Sequence, residues 1–331
     1  MKKKFVSLVT AVAIGISLIA CGKTGNSLEG KESEVESEIV VGFSQVGAES
    51  DWRTANTESM KATFSEENGY KLIFDNAQQK PSNQVQAIRN FIQQEVDYIV
   101  LAPSIETGWD TVLKEAKSAG IPVIIVDRRI DVSDDSLYTA WVGSDFYKEG
   151  QKAIEWLETQ YKKEEALNIV HIQGTLGSTA QIGRTKALEE AVEKNPNWKI
   201  TFQQKGDFTE AKSKEVMTNI LRNTKDIDVV YCENDNIAFG AIDAIESAGL
   251  TCGLHGDVTI VSFDATRTGL EQTMSGIISC NMECNPLHGP RVEKIIMQLE
   301  QGELFEKCCY VEEELFESEE LTDAIIDSRM Y

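Results

Sequence analysis

The chain has 331 residues, longer than one hydrophobic core usually sustains, so two domains or one large α/β unit is the expectation. With 41% hydrophobic and 26% charged residues it is globular and not mostly disordered. Its formal charge of −22, from 32 basic against 54 acidic side chains, sets up a field that repels phosphate backbones and excludes nucleic acid as a partner.

In chain order, Lys2, Lys3 and Lys4 precede an uncharged run from Phe5 to Ala20, which is too short for a comfortable transmembrane helix. The order Leu18, Ile19, Ala20, Cys21 that closes it matches a bacterial lipoprotein signal peptide spanning 1–20, cut before Cys21, with the thiol then acylated. A plain cleaved leader with an incidental cysteine is the competing reading. Loss of the three lysines takes the formal charge to −25. Residues 21–38 are polar and poor in apolar side chains, the composition of a flexible stalk. The chain beyond the stalk is expected to be a soluble, acidic, monomeric domain, lipid-anchored to the outer face of the bacterial cell membrane or periplasmic. Of the other cysteines, adjacent Cys308 and Cys309 are awkward disulfide partners, and Cys280 with Cys284 lacks the histidine pair of a zinc site. Together with Cys232 and Cys252 they read as buried or free thiols, with no metal or cofactor expected.

From Ile39 onward, apolar runs rich in Val, Ile and Tyr alternate with helical patterns. Five strands are predicted in "IVVGFS", "YKLIFDN", "DYIVLAP", "IPVIIVD" and "YTAWVGSD". After a long helix, five more come in "LNIVHIQG", "WKITFQQ", "DVVYCEND", "VTIVSFDA" and "GIISCNME". Between them Val85, Ile88, Phe91 and Ile92 follow Pro81 at helical spacing, as do Ala238, Ile242 and Ile245. The rhythm is that of a doubly wound α/β sheet, made twice, with no proline-rich linker between the halves.

Ligands of open α/β sheets bind beyond the carboxyl ends of the strands, so the strand exits are where function is sought. The first half offers Glu49, Trp52, Arg53, Asp127, Arg128 and Asp145; the second offers Arg184, Phe208, Asn234, Asp264 and Glu283. Carboxylates accept from hydroxyls, guanidinium forks donate to them and an amide does both, so this set can satisfy a polyol once water is excluded. The C–H face of a sugar ring wants an aromatic surface, and Trp52 with Phe208, from opposite halves, would sandwich it. Plainer roles compete for individual residues: Trp52 as a staple between helices, Asp127 and Arg128 as an exposed pair, and Asp145, Asn234 and Asp264 as helix caps. The glycines of "GTLGSTAQIG" do not have the spacing of a phosphate loop. Coincidence at the strand exits, more than any single residue, carries the reading.

The segments "VGFSQVGAESDWR", "DNAQQK", "NQVQAIRNFI", "LAPSIETGWDTVLKEAKSAGIPVIIVDRRIDV", "QGTLGSTAQIGR", "GDFTEAKSKEVM" and "ENDNIAFGAIDAI" resemble, in order, those of the substrate-binding proteins of ABC sugar importers in the ribose-binding, LacI-like periplasmic family. The resemblance runs from about Ile39 to the end. It implies the type I periplasmic-binding fold: two Rossmann-like lobes joined by a three-segment hinge, 39–144 with about 285–311 and 145–284 with about 312–331. It also implies a monosaccharide ligand, a galactofuranose- or galactose-like hexose first, gripped by Asp127 and Arg128, Arg184, Asn234 and Asp264 and stacked on Phe208, with ABC permease subunits as partners. Cys280, Cys284, Asn285 and the tail after Gln301 depart from the family pattern.

On this reading the lobes close on the sugar, which supplies the free energy that favours the closed form. Presenting the sugar to a membrane receptor would use the same pocket. An enzyme is disfavoured, because His171, His255 and His288 show no nucleophile motif. A DNA-binding regulator is disfavoured by the acidic charge and by a leader where a helix-turn-helix would stand.

Overall fold

The computed structural model describes residues 38–162 and 165–331. The expected signal peptide, the expected acylation site Cys21 and the expected stalk through residue 37 lie outside the described residues. No described helix is long and apolar enough to cross a membrane.

The first lobe alternates β1 (Ile39–Gln45), α1 (Asp51–Thr63), β2 (Tyr70–Asn76), α2 (Pro81–Gln93), β3 (Tyr98–Leu101), α3 (Asp110–Ala119), β4 (Val123–Val126) and β5 (Ala140–Gly143). β3, β4 and β5 are buried at every position, which is why each appears in sequence as an unbroken apolar run: parallel strands are covered on both faces. Local signals set the helix ends. Pro81 opens α2, where its missing N–H costs nothing, and Gly120 ends α3 in the left-handed conformation.

The chain then crosses through α4 (Phe146–Gln160) into a second lobe built the same way. It runs β6 (Leu167–Gln173), α5 (Thr179–Lys194), β7 (Trp198–Lys205), α6 (Glu210–Leu221), β8 (Val229–Cys232), α7 (Asp235–Ser247), β9 (Thr259–Asp264), α8 (Arg267–Met274) and β10 (Cys280–Glu283). It returns through α9 (Gly289–Gln301), which packs on α1, to β11 (Cys308–Tyr310), and then crosses again to β12 (Leu315–Phe316) and α10 (Asp323–Ser328).

The sheets run β2-β1-β3-β4-β5-β11 and β7-β6-β8-β9-β10-β12. Each is one doubly wound order completed by a strand from the tail, β11 parallel to β5 and β12 antiparallel to β10. The three passages between sheets are therefore β5 to α4, β10 to α9 and β11 to β12. Each sheet is sandwiched between two apolar clusters, and the strand ends that bear the candidate residues face the gap between the lobes.

Candidate functional site

Nine of the eleven residues singled out in the sequence line one cavity between the lobes: Glu49, Trp52, Arg53, Asp127, Arg128, Arg184, Phe208, Asn234 and Asp264. Ser50, Phe146, Ala180 and Cys284 complete the wall.

The first-lobe wall is an ion web. Ser50 caps α1 by accepting from the Arg53 backbone N–H, which fixes the turn from which Glu49, Trp52 and Arg53 project. Arg53 Nη2 donates to Asp127 Oδ2 at 2.6 Å and to Glu49 Oε1 at 3.3 Å, and Arg128 Nη2 donates to the same Glu49 oxygen. Burial pulls the Asp127 carboxyl up, but Arg53 and Arg128 outweigh it and hold it below the ordinary carboxylate value. Asp127 sits at φ +64°, a conformation that an L-residue adopts at a cost of about 1–3 kcal/mol. It is over-determined there. Trp141 Nε1 donates to the Asp127 carbonyl at 3.0 Å, and that carbonyl lies where a side chain on Gly143 would have to go, 2.3 Å from an ideal Cβ.

The second-lobe wall centres on Arg184. Its Nε donates to Glu149 Oε2 at 2.8 Å, its Nη1 to the Glu233 carbonyl, and Asp264 stands 3.7 Å from Nη2. Burial opposes the guanidinium charge, but Glu149 outweighs it and raises the Arg184 pKa. Burial pushes Asp264 well above the ordinary carboxylate value despite that arginine. Glu233 is held in turn by Thr185 Oγ1 at 2.6 Å, the Gly174 N–H at 2.7 Å and His171 at 2.9 Å, so His171 is a buried structural residue. Asp264 and Phe208 have φ of +100° and +59°, so both lobes carry backbone strain at the cavity. The Phe208 ring lies on Gly174, where an added Cβ would fall 1.9 Å from it. This glycine of "GTLGSTAQIG" is a floor for an aromatic.

Contacts between lobes surround the cavity. Trp52, 4% exposed, projects from the first lobe into the apolar cluster of the second, beside Phe146 and Phe208, and its indole N–H donates to the Cys284 carbonyl at 2.6 Å. Asp51 and Asn236 exchange two hydrogen bonds of 3.0 Å at one rim. At the other rim the Arg129 N–H donates to Thr179 Oγ1 at 2.9 Å and the Glu106 N–H to the Gly177 carbonyl at 3.0 Å. Arginines stand over the rings, Arg53 4.5 Å from the Trp52 centroid and Arg128 5.1 Å from that of Phe208. Four buried atoms of the wall lack a well-formed hydrogen bond among the described residues: Glu49 Oε2, Arg53 Nη1, Arg128 Nε, which lies 3.8 Å from Asp127 Oδ2, and Asn234 Nδ2, whose side chain faces Asp264. One accepts and three donate, the mixture that a cluster of hydroxyls satisfies.

Asp145 and Glu283 stand elsewhere. Asp145 caps α4 by accepting from the Lys148 N–H at 3.1 Å, the plainer of its two predicted roles. Glu283 accepts from Arg329 Nη1 at 2.5 Å and from Tyr331, on the hinge side away from the cavity. The reason is alternation: neighbours along an extended chain point to opposite faces. Beyond β10 it is Cys284 that reaches the cavity, and beyond β5 it is Phe146. Glu149 was not foreseen, although it lies four residues after Asp145, one helical turn along α4. Glu313 was not foreseen either, because only the fold brings it to Glu149.

Comparison with known proteins agrees with this architecture. A model described as a periplasmic binding protein domain matches residues 41–286. The galactofuranose-binding protein YtfQ of Escherichia coli is 40% identical over 282 residues, 84% of this chain and 87% of that one. A protein from Mycobacterium smegmatis in complex with β-D-fucofuranose superposes with a TM-score of 0.81 at 42% identity, covering 88% of this chain and 93% of that one. The periplasmic binding component of an arabinose ABC transporter from Shewanella sp. ANA-3, bound to α- and β-L-arabinofuranose, also gives 0.81, at 41% identity over 88% and 95% of the two chains. Two like sheets, three crossings and a polar cavity between them, together with these matches, establish that the chain belongs to the periplasmic binding protein family, among its ribose-binding-like sugar-binding members.

Proposed function

We propose that the protein captures one monosaccharide in its furanose form by closing its lobes on it, without chemical turnover, and hands it to an ABC-type sugar importer on the outer side of the cell membrane. Tethering through Cys21 is part of the proposal. The observation that supports it most is the convergence of two arginine–carboxylate systems, one per lobe, on a cavity whose wall holds donors and an acceptor that lack well-formed hydrogen bonds. Left without hydroxyl partners, each such buried group costs about 1–3 kcal/mol, so a ligand that matches them favours closure and one lacking a hydroxyl is rejected. The furanose part draws on the relatives, three of which are named for or bound to galactofuranose, fucofuranose and arabinofuranose.

A thermal-shift panel on residues 22–331 tests both levels. Galactose, fucose and arabinose at their solution equilibria are expected to raise the melting temperature, and glucose to leave it unmoved. A rise with glucose or ribose alone would remove the furanose assignment, and no rise with any sugar would remove sugar capture itself.

A further inference from the structure

We infer that Glu149 and Glu313 share one proton in the folded molecule, and that this proton fastens the three hinge passages to one another, so that the hinge loosens as pH rises. The three passages between lobes meet at this pair. Ser144 lies in the first, Asn285 in the second and Glu313 in the third. Glu313 Oε1 accepts from Ser144 Oγ at 2.6 Å and from the Asn285 N–H at 2.8 Å, so a single carboxyl ties all three together. Its other face meets Glu149, within a group where carboxylate oxygens of Glu149 and Glu313 and the Cys284 sulfur all lie within 4.8 Å of one another, every residue buried. Glu149 Oε2 is taken by Arg184, while Glu149 Oε1 lacks a well-formed hydrogen bond and has Glu313 and the weak donor Cys284 S–H beside it, so a hydrogen on Glu313 is the strong donor within reach.

The charges around the pair point the same way. Arg184 from α5 is the one cation hydrogen-bonded to either carboxyl among the described residues, and it also faces Asp264 from the end of β9. Lys152 of α4 spends its ammonium on the Glu313 backbone carbonyl, at 2.6 Å. Arg291 of α9 feels Glu313 but donates to Asn285 and the Leu287 carbonyl, and Glu283 is neutralised by Arg329 beside Tyr331. The Cys284 thiol, raised by burial, adds no cation. Two bare carboxylates at that separation repel strongly in a dry setting, and one proton removes the repulsion and supplies the missing hydrogen bond. A divalent cation would have to sit beside the Arg184 guanidinium, whose positive charge repels it. Burial first and the Glu149 charge second push Glu313 up to about 9, and burial raises Glu149 too, so the proton belongs to the pair at neutral pH.

Proton uptake fixes the sign of the pH dependence. The folded pair binds a proton that the unfolded chain releases above the ordinary value of 4.5, so this contribution is complete below 4.5 and is lost as pH rises towards about 9. The consequence for sugar affinity rests on the closure reading above, but the test needs no sugar. Glu313→Gln keeps an acceptor for Ser144 and Asn285 and offers Glu149 a permanent N–H. Urea unfolding of ligand-free protein across that window is expected to show the wild-type unfolding constant rising about tenfold per pH unit relative to Glu313→Gln. Parallel pH profiles would overturn the inference. So would a zinc-induced rise in wild-type melting temperature that Glu313→Gln lacks, because a cation would then occupy the proton's place. Should Glu313→Gln not fold, carboxyl NMR of glutamate-labelled wild type decides: one glutamate is expected to stay protonated at neutral pH, and ordinary titration of all of them would overturn the inference.

Discussion

The two walls of the cavity meet the same requirement with different charge balances. On the first-lobe wall Glu49 and Asp127 face Arg53 and Arg128, two acids against two bases, all buried. On the second-lobe wall Arg184 alone serves Glu149 and Asp264, with Glu313 behind them. The first web is neutral by pairing, and its Asp127 carboxyl is held down by two arginines. The second is neutral only if acids keep protons, and its carboxyls are raised. Closing one on the other sets a wall of matched pairs against a wall that titrates.

Arginine removal is expected to separate them most. Arg184→Met strands two buried acids and should cost about 3–5 kcal/mol in urea unfolding. Arg53→Met leaves Arg128 with Glu49 and Asp127 and should cost less, so equal losses would erase the contrast. Next comes Asp127→Asn, which keeps volume but discharges the partner of Arg53. Calorimetric titration with the sugar that the panel identifies should show an affinity loss of about 2–3 kcal/mol, roughly 30- to 150-fold. Smaller again is Trp52→Phe, which deletes the N–H to the Cys284 carbonyl and should weaken binding by about 1–2 kcal/mol. Acid titration sharpens the comparison from the other side. The Asp127 contribution is present above its ordinary value of 3.8 and lost as pH falls through the depressed one, so melting of Asp127→Asn should lose less on acidification than wild type. The smallest effect, about 0.5–1.5 kcal/mol of affinity, is expected from Asn236→Ala, which removes only the rim exchange with Asp51.

The range of the forces involved decides what the sequence disclosed and what it hid. The central strands such as β3, β4, β5 and β8 were legible because parallel strands buried on both faces leave continuous apolar runs, the half-exposed edge strands β2 and β7 by their β-branched and aromatic residues, and the strand-exit rule then pointed to Trp52, Asp127, Arg184 and Asp264. β11 and β12, three and two residues long, owe their pairing to the sheets already formed and carry no pattern of their own. Asp145 and Glu283 were one residue away from Phe146 and Cys284, a difference that depends on which face the chain presents as it leaves the strand. Glu313 had no local signal at all: its partners lie 28 to 169 residues away and meet it only at the hinge.

The repeated strand order has a further consequence. β4 and β9 occupy the same rank in their sheets, and each is followed or ended by an aspartate in the left-handed region, Asp127 and Asp264. The cleft is thus framed by corresponding corners of two copies of one architectural unit, approaching the guest from opposite sides. Under the proposed capture of a sugar, which has no such symmetry, each corner would grip different atoms, and recognition would be free to diverge on one side while the other stays as it was.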